Sequence, residues 1–187
     1  MWCLLPPLND NFNFELEEEK FNEKILKGLD FLKIRITDQL DWVIIDPDEF
    51  ENLCIDLLKK SKRFENVRKI GGGTGELCRD ISAVEKYVTL TGIERRKWIV
   101  QCKHYSSRKV NKNDMPNIMN VLSAHDSDGI FIITSNEISP GIKQTLQSFN
   151  GDKKHPYKAT WWEKSDLVNH LEKHKDIIKK YFFKNRI

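Results

Sequence analysis

The sequence predicts an α/β fold in which a mixed central β-sheet is flanked by α-helices. Three observations carry this prediction: helical spacing of apolar residues over 50–58, a strand pair connected through Thr91 and Gly92, and a continuous apolar run over 129–134. Apolar positions three and four apart mark one buried helix face, whereas an uninterrupted apolar strand suits a position covered on both sides. Helical and strand segments then alternate along the chain, which is typical of an α/β domain.

The first 45 residues predict a helical N-terminal extension. An acidic stretch at 15–19 is followed by apolar positions three or four apart, namely Phe21, Ile25, Leu29 and Leu32. A second helix is expected from about residue 47, because Asp46 can cap it, Pro47 suits its first turn and Glu49 completes a capping box. We therefore place a domain boundary at residue 46.

The elements after this helix are predicted from periodicity and from turn residues. A turn near Leu90 and Thr91 makes the second and third strands an antiparallel pair. The expected order is three strands at 67–70, 78–84 and 98–103, a helix over 115–122, a strand over 129–134, a helix from Ser139, a strand over 157–162 and a terminal helix capped by Ser165. We divide the chain into an extension at 1–45, a core domain at 46–174 and a basic, aromatic helical tail at 175–187.

Composition excludes several classes of protein but names no partner. The 187 residues carry 31 Lys and Arg against 28 Asp and Glu, a net charge of +3. This balance is too mild to indicate nucleic acid unless the basic residues cluster. The four cysteines form no Cys-x-x-Cys pair, which favours a reducing compartment over a zinc site. Without a signal-peptide pattern or an apolar run of membrane-spanning length, we expect a cytoplasmic protein with no membrane partner.

The glycine-rich run at 71–75 does not match a phosphate-binding loop. It ends in Gly75-Glu76-Leu77, whereas a Walker loop requires Gly-Lys followed by Ser or Thr. A flexible turn between strands is therefore favoured. Cys102 and His104, two residues apart on a predicted strand, leave Cys-His nucleophilic catalysis open as a second hypothesis.

Gln101 and Lys103 form the most informative pair in the chain. Residues two apart on a strand share a face, so an amide oxygen and an ammonium emerge side by side. The predicted hairpin places Asp80 opposite Gln101, and Glu51 lies at the flank of its helix's apolar stripe. Such oxygen ligands suit Mg²⁺ or Mn²⁺. An Asp-Lys ion pair with Gln101 as a bystander explains the same spacing equally well, so both interpretations stay open.

The sequence resembles the Mrr-type restriction endonuclease domain, a Gln-x-Lys branch of the PD-(D/E)xK nucleases. The resemblance covers about residues 46–174 and lies in four pieces in the family's order: Asp46 to Glu51, the glycine-rich turn ending in Arg79-Asp80-Ile81, Gln101 to Tyr105, and Ile130 to Ser135. It implies a restriction-endonuclease-like core that hydrolyses DNA phosphodiester bonds with Mg²⁺, for which Mn²⁺ can substitute, in defence against foreign DNA.

The resemblance also implies roles for individual residues. Asp80 and Gln101 hold the metal with the carbonyl of Cys102, and Glu51 supplies the negative charge that the neutral Gln101 lacks. Lys103 positions or activates the attacking water. The implied catalytic residues are Glu51, Asp80, Gln101 and Lys103, and the implied metal ligands are Asp80, Gln101, Glu51 and Cys102.

A local basic stripe indicates where DNA would bind. Residues 94–112 contain seven basic side chains and one acidic one. Contacts of such side chains with phosphates give affinity without sequence information. We expect double-stranded DNA to be bound by His104, Arg108, Lys109 and Lys112, with a homodimer partner or another subunit supplying specificity or activation. The alternatives are a non-catalytic module that binds nucleic acid or a partner on the same fold, and a nuclease acting on RNA or branched DNA.

Overall fold

The computed structural model describes residues 20–25, 27, 40–70, 80–115, 117–151 and 156–183. The chain divides into two compact units, Met1–Leu40 and Asp41–Ile187. Residues 20–25 of the first unit are helical. Of the rest of the predicted extension at 1–45, the structure describes only residue 27, which is helical, and residues 40–45. The glycine-rich turn lies outside the described residues.

The second unit is built on one five-stranded sheet in the order β1-β2-β3-β4-β5. Strand β2 is antiparallel to both of its neighbours, β1 and β3, whereas β3, β4 and β5 run parallel. The predicted α/β fold with a mixed sheet is therefore confirmed. The strands are β1 (Phe64–Lys69), β2 (Ile81–Thr89), β3 (Gly92–Lys103), β4 (Gly129–Thr134) and β5 (Lys158–Trp162).

Five helices connect and cover these strands. They are α1 (Pro47–Lys60), α2 (Ile118–Ala124), α3 (Pro140–Gly151), α4 (Lys164–Leu171) and α5 (Lys175–Phe182), with short 3-10 turns at Trp42–Ile44 and Lys112–Asp114. The structure corrects the prediction of one terminal helix capped by Ser165. The cap is Glu163, which forms a capping box with Asp166, and the chain turns after Leu171 before α5 begins.

Local signals in the sequence fix the start of α1. The Glu49 N–H donates to Asp46 Oδ1 at 2.8 Å, and the Asp46 N–H donates to Glu49 Oε2 at 3.4 Å, which together form the predicted capping box. An N-cap of this kind stabilises a helix by about 1 kcal/mol. The apolar stripe that follows is buried, with Phe50 and Leu53 fully inaccessible. These features hold α1 in a fixed position against the sheet.

Helices cover both faces of the sheet. Cys102 of β3 hydrogen-bonds through its thiol to Cys54 of α1, and Trp162 of β5 stacks on His170 of α4, so α1 and α4 lie on one face. The other face carries Ile130 and Ile132, which pack with residues of α2 and α3. Strand residues alternate between these faces, a regularity that decides which side chains can meet at the site.

Helix α5 packs against α1 through an apolar face. Its buried residues are Ile177, Ile178, Tyr181 and Phe182. The ring of Phe182 lies 5.2 Å from that of Trp42, and the Tyr181 hydroxyl donates to Asp56 of α1 at 2.8 Å. Within the described ranges, no helix is both long and apolar enough to cross a membrane.

The hairpin between β2 and β3 turns where the sequence predicts. Thr89 pairs with Gly92, so Leu90 and Thr91 form the turn, and Gly92 has a φ of +132° that favours glycine. The third strand begins at Gly92 rather than at the predicted Trp98, because the charged stretch before Trp98 continues the pairing with β2. The register of this hairpin determines which residue lies opposite Gln101.

Candidate active site

Asp80 is fixed beside the end of β3 by its backbone and its side chain. Its N–H donates to the Val100 carbonyl at 3.2 Å, and its Oδ2 accepts from the Cys102 N–H at 2.6 Å. Ile81 pairs with Val100, so the next step along both strands brings Asp80 opposite Gln101. Burial raises the pKa of Asp80, the Glu51 charge raises it further, and the charges of Lys103 and Lys69 oppose the rise. The site therefore holds a carboxylate that a cation would stabilise.

Gln101 contributes a buried acceptor that nothing in the described structure satisfies. The residue is 2% exposed, and its Oε1 has no hydrogen-bond partner. Leaving a buried amide oxygen unpaired costs free energy, because water would have bonded to it. Gln101 pairs with Ile132 of β4 and shares the sheet face covered by α2 and α3. This oxygen belongs to the residue opposite Asp80 in the strand register, and an unpaired amide oxygen has the chemistry of a ligand for a hard cation.

Lys103 shares that face because it follows Gln101 by two residues. It is partly buried, and its charge acts on Asp80. No hydrogen bond or ion pair joins its Nζ to another side chain in the part of the chain that the structure describes.

Glu51 reaches the site from α1, which covers the opposite face from Gln101 and Lys103. Its Oε2 lies 3.0 Å from Lys69 Nζ, and Lys69 also hydrogen-bonds Asp48. Sequence reasoning missed Lys69, because a lone basic residue at the end of a strand carries no motif. The one available signal is antiparallel pairing, which sets the end of β1 against the start of β2, where Asp80 lies.

Cys102 presents different groups to the two faces. Its thiol is directed towards Cys54 of α1, and burial together with that hydrogen bond raises its pKa well above the usual value. A buried, protonated thiol is a poor nucleophile. His104 stacks on Phe50 at 5.0 Å instead of contacting Cys102. This arrangement disfavours Cys-His catalysis and leaves the Cys102 carbonyl as the group relevant to the site.

The four residues expected to bind DNA fall into two environments. Burial lowers the pKa of His104, whose ring lies against Phe50 and near the backbone of Trp42 and Ile45. The other three lie on the surface segment after β3. Arg108 pairs with Asp114 at 2.6 Å and covers the Tyr105 ring at 3.7 Å, Lys109 pairs with Glu137 at 2.5 Å, and Lys112 is exposed.

The donor set fits an oxygen-preferring divalent cation such as Mg²⁺ or Mn²⁺ better than a metal that prefers nitrogen or sulfur ligands. Among the described residues, no group of three or more His, Cys, Asp or Glu side chains could hold a metal. The site instead offers the Asp80 carboxylate and the unsatisfied Gln101 amide oxygen, with Glu51 close enough to act on Asp80. Mg²⁺ is usually bound by one or two carboxylates, and water and substrate phosphate oxygens complete its coordination.

Comparison with known proteins assigns the chain to a family. The Mrr_cat family model, described as a restriction endonuclease, matches residues 44–156, more than half of the chain. The chain belongs to the Mrr_cat restriction endonuclease family. The match includes Glu51, Asp80, Gln101 and Lys103, and it ends before β5. The second unit is thus a restriction-endonuclease-like nuclease domain, a class that generally uses divalent metal ions, as the resemblance implied.

Two solved structures are similar to the chain at low identity. The MspJI restriction endonuclease in complex with a 27-mer oligonucleotide is 13% identical with a TM-score of 0.46, covering 67% of this chain and 27% of that one. The DNA modification-dependent restriction endonuclease AspBHI is 16% identical with a TM-score of 0.44, covering 70% and 32%. The chain spans about a third of their length or less. A search of curated proteins gave no significant match.

Proposed function

We propose that this Mrr_cat domain is a Mg²⁺-dependent endodeoxyribonuclease that hydrolyses phosphodiester bonds of double-stranded DNA in defence against foreign DNA. The observation that carries the proposal is the buried Gln101 Oε1, which no described residue satisfies. Gln101 lies opposite Asp80 in the strand register, and Lys103 is two residues along the same strand face. A merely structural Asp-Lys pair would leave that amide oxygen unexplained. The defence role rests on family membership alone, and the cytoplasmic location is proposed from the cysteine pattern.

Asp80, Gln101, Glu51 and the Cys102 carbonyl are the groups that would hold the ion. When bound, Mg²⁺ supplies stabilisation of the negative charge that develops on the phosphate, and Mn²⁺ can replace it. Asp80 is aimed by its hydrogen bond from the Cys102 N–H, so its carboxylate needs little rearrangement to act as a ligand. Such preorganisation is a main source of catalytic power.

Lys103 acts on the water and on the phosphate in this proposal. Its ammonium donates hydrogen bonds to the attacking water and holds that water in line with the scissile bond. Its positive charge also offsets charge on the transition state. Arg108, Lys109 and Lys112 hold the DNA backbone, while His104 supports the end of β3 through Phe50. We propose that sequence specificity comes from a homodimer partner or another subunit.

A panel of substrates tests the proposal. Purified protein is incubated with linear double-stranded DNA, single-stranded DNA, a four-way DNA junction and RNA, each with Mg²⁺, Mn²⁺ or EDTA. Cleavage of double-stranded DNA that EDTA abolishes is expected. Preference for RNA or for the junction would replace the proposed substrate, and tight DNA binding without cleavage in either metal would favour the non-catalytic module.

A further inference from the structure

The ammonium of Lys69 lies between two carboxylates at the start of α1. It is 3.0 Å from Glu51 Oε2 and also hydrogen-bonds Asp48 Oδ1. Asp48 and Glu51 are three residues apart and so lie on one side of the helix. Lys69 itself ends β1 and pairs with Ile81, the residue after Asp80. A cation of the chain is therefore held against a carboxylate that the proposed metal site requires.

The two carboxylates differ in their surroundings. The side chain of Glu51 is 25% exposed, whereas that of Asp48 is 74% exposed. Glu51 acts electrostatically on Asp80, and so does Lys69 with the opposite sign. A divalent ion bound at Asp80 would repel Lys69 and compete with it for Glu51. Asp48 would still hold Lys69 after that contact is lost.

We propose that Lys69 is an internal counter-cation that competes with the divalent metal for Glu51, and that Asp48 retains Lys69 when the metal takes Glu51. This inference rests on the proposed function and deepens it, because it names what sets metal occupancy of the same site. Lys69 is a positioning residue here, since it acts on the metal through Glu51.

Replacing Lys69 by an uncharged residue of similar length removes the competitor. Lys69→Met is expected to tighten Mn²⁺ binding by about two- to fivefold, the range that partly exposed ion pairs contribute. Lys69→Arg keeps a cation against both carboxylates and should bind Mn²⁺ as the wild type does. The Lys69 side chain is 32% exposed at the end of an edge strand, so neither change disturbs the core.

A change at Asp48 distinguishes competition between Lys69 and the metal from a direct electrostatic effect of the Asp48 charge on the metal. Asp48→Asn removes the group that retains Lys69, so Lys69 holds Glu51 more firmly and Mn²⁺ binding weakens. In the Lys69→Met background the same change should have no effect, because the lysine is gone. A field effect of the Asp48 charge would instead weaken binding equally in both backgrounds, which makes the two changes additive.

Calorimetric titration of the full chain with Mn²⁺, without DNA, tests the inference. The proteins are the wild type, Lys69→Met, Lys69→Arg, Asp48→Asn, the Lys69→Met/Asp48→Asn double variant and Asp80→Ala, each checked for folding by circular dichroism. Tighter binding by Lys69→Met together with a non-additive cycle is the expected result. Unchanged or weaker binding by Lys69→Met, or an additive cycle, overturns the inference.

The Asp80→Ala titration separates this inference from the proposed function. If the wild type binds Mn²⁺ no better than Asp80→Ala, the proposed metal site is wrong and the competition falls with it. If wild-type binding depends on Asp80 while Lys69→Met binds as the wild type does, the competition alone is wrong.

Discussion

The Cys102 N–H donates a 2.6 Å hydrogen bond to Asp80 Oδ2, which fixes a side chain at the start of β2 to the backbone of β3. The donor belongs to the residue between Gln101 and Lys103. One bond therefore fixes the carboxylate to the backbone between these two residues. An asparagine oxygen could accept the same hydrogen bond, so geometry and charge can be separated at this position.

Asp80→Asn is expected to stabilise the metal-free protein at neutral pH. Because burial raises the pKa of Asp80, the folded state binds its proton more tightly than the unfolded state. The stability of the wild type relative to the variant should therefore fall as the pH rises from below 3.8, and level off above the raised pKa. Thermal unfolding of both proteins across this range checks the prediction. If the stabilities of the two proteins changed in parallel with pH, folding would not raise the pKa of Asp80 and the prediction would be wrong.

Gly129→Ala is expected to destabilise the sheet by about 1 to 3 kcal/mol, the usual cost of overpacking. A Cβ at Gly129 would lie 2.6 Å from the Lys158 carbonyl and 2.6 Å from the Trp98 ring. Gly141→Ala is the matched control, since no atom lies within 4 Å of its Cβ position. Urea unfolding compares the two, and equal stability of both variants would contradict the prediction.

Glu85→Ala should cost about 1 to 3 kcal/mol, because it leaves a buried donor unpaired. Glu85 is 5% exposed and accepts from Trp98 Nε1 at 2.9 Å, with Arg63 and Arg96 also against its carboxylate. Glu94→Ala, on the exposed part of the same hairpin, should cost less than about 0.5 kcal/mol. Chemical denaturation gives both values. A Glu85→Ala variant as stable as the Glu94→Ala variant would rule out this role.

Lys112→Ala should weaken DNA binding about equally for all sequences. It should also reduce the slope of log affinity against log salt concentration by about one, the change expected when one phosphate contact is lost. Lys112 is exposed on the segment that follows β3. Lys158→Ala is the control, because Lys158 begins β5 at the opposite end of the sheet from Lys103. Fluorescence anisotropy at several salt concentrations, in Ca²⁺ or EDTA, measures both. An equal loss in the two variants would place the DNA elsewhere.

Local features of the fold followed directly from the sequence. The capping box of α1 needs only Asp46 and Glu49, and the hairpin turn at Leu90 and Thr91 sets the register that brings Asp80 opposite Gln101. The extent of β3 did not follow, because the charged residues 94–97 look like a connection in the sequence although they pair with β2 in the structure. The break between α4 and α5 was not predicted either, although no apolar residue stands between Leu171 and Ile177.

The site was predictable only where strand geometry determines it. Gln101 and Lys103 are two residues apart on one strand, so they must share a face. The contact between Glu51 and Lys69 instead joins a helix to the end of a strand that is distant in the sequence. Nothing in local spacing specifies such a contact. His104 shows the same limit, because only the packing of α1 reveals that its ring meets Phe50.

Cleavage of supercoiled plasmid by the wild type and by Lys103→Ala tests the central claim most directly. With Mg²⁺ or Mn²⁺, the wild type should produce nicked or linear DNA, and Lys103→Ala should be slower by at least about 100-fold with its fold unchanged. Lys97→Ala is the matched control, since Lys97 lies on the same face of β3, far from Gln101 and paired with Asp126 at 2.8 Å. Full cleavage by Lys103→Ala would contradict the account.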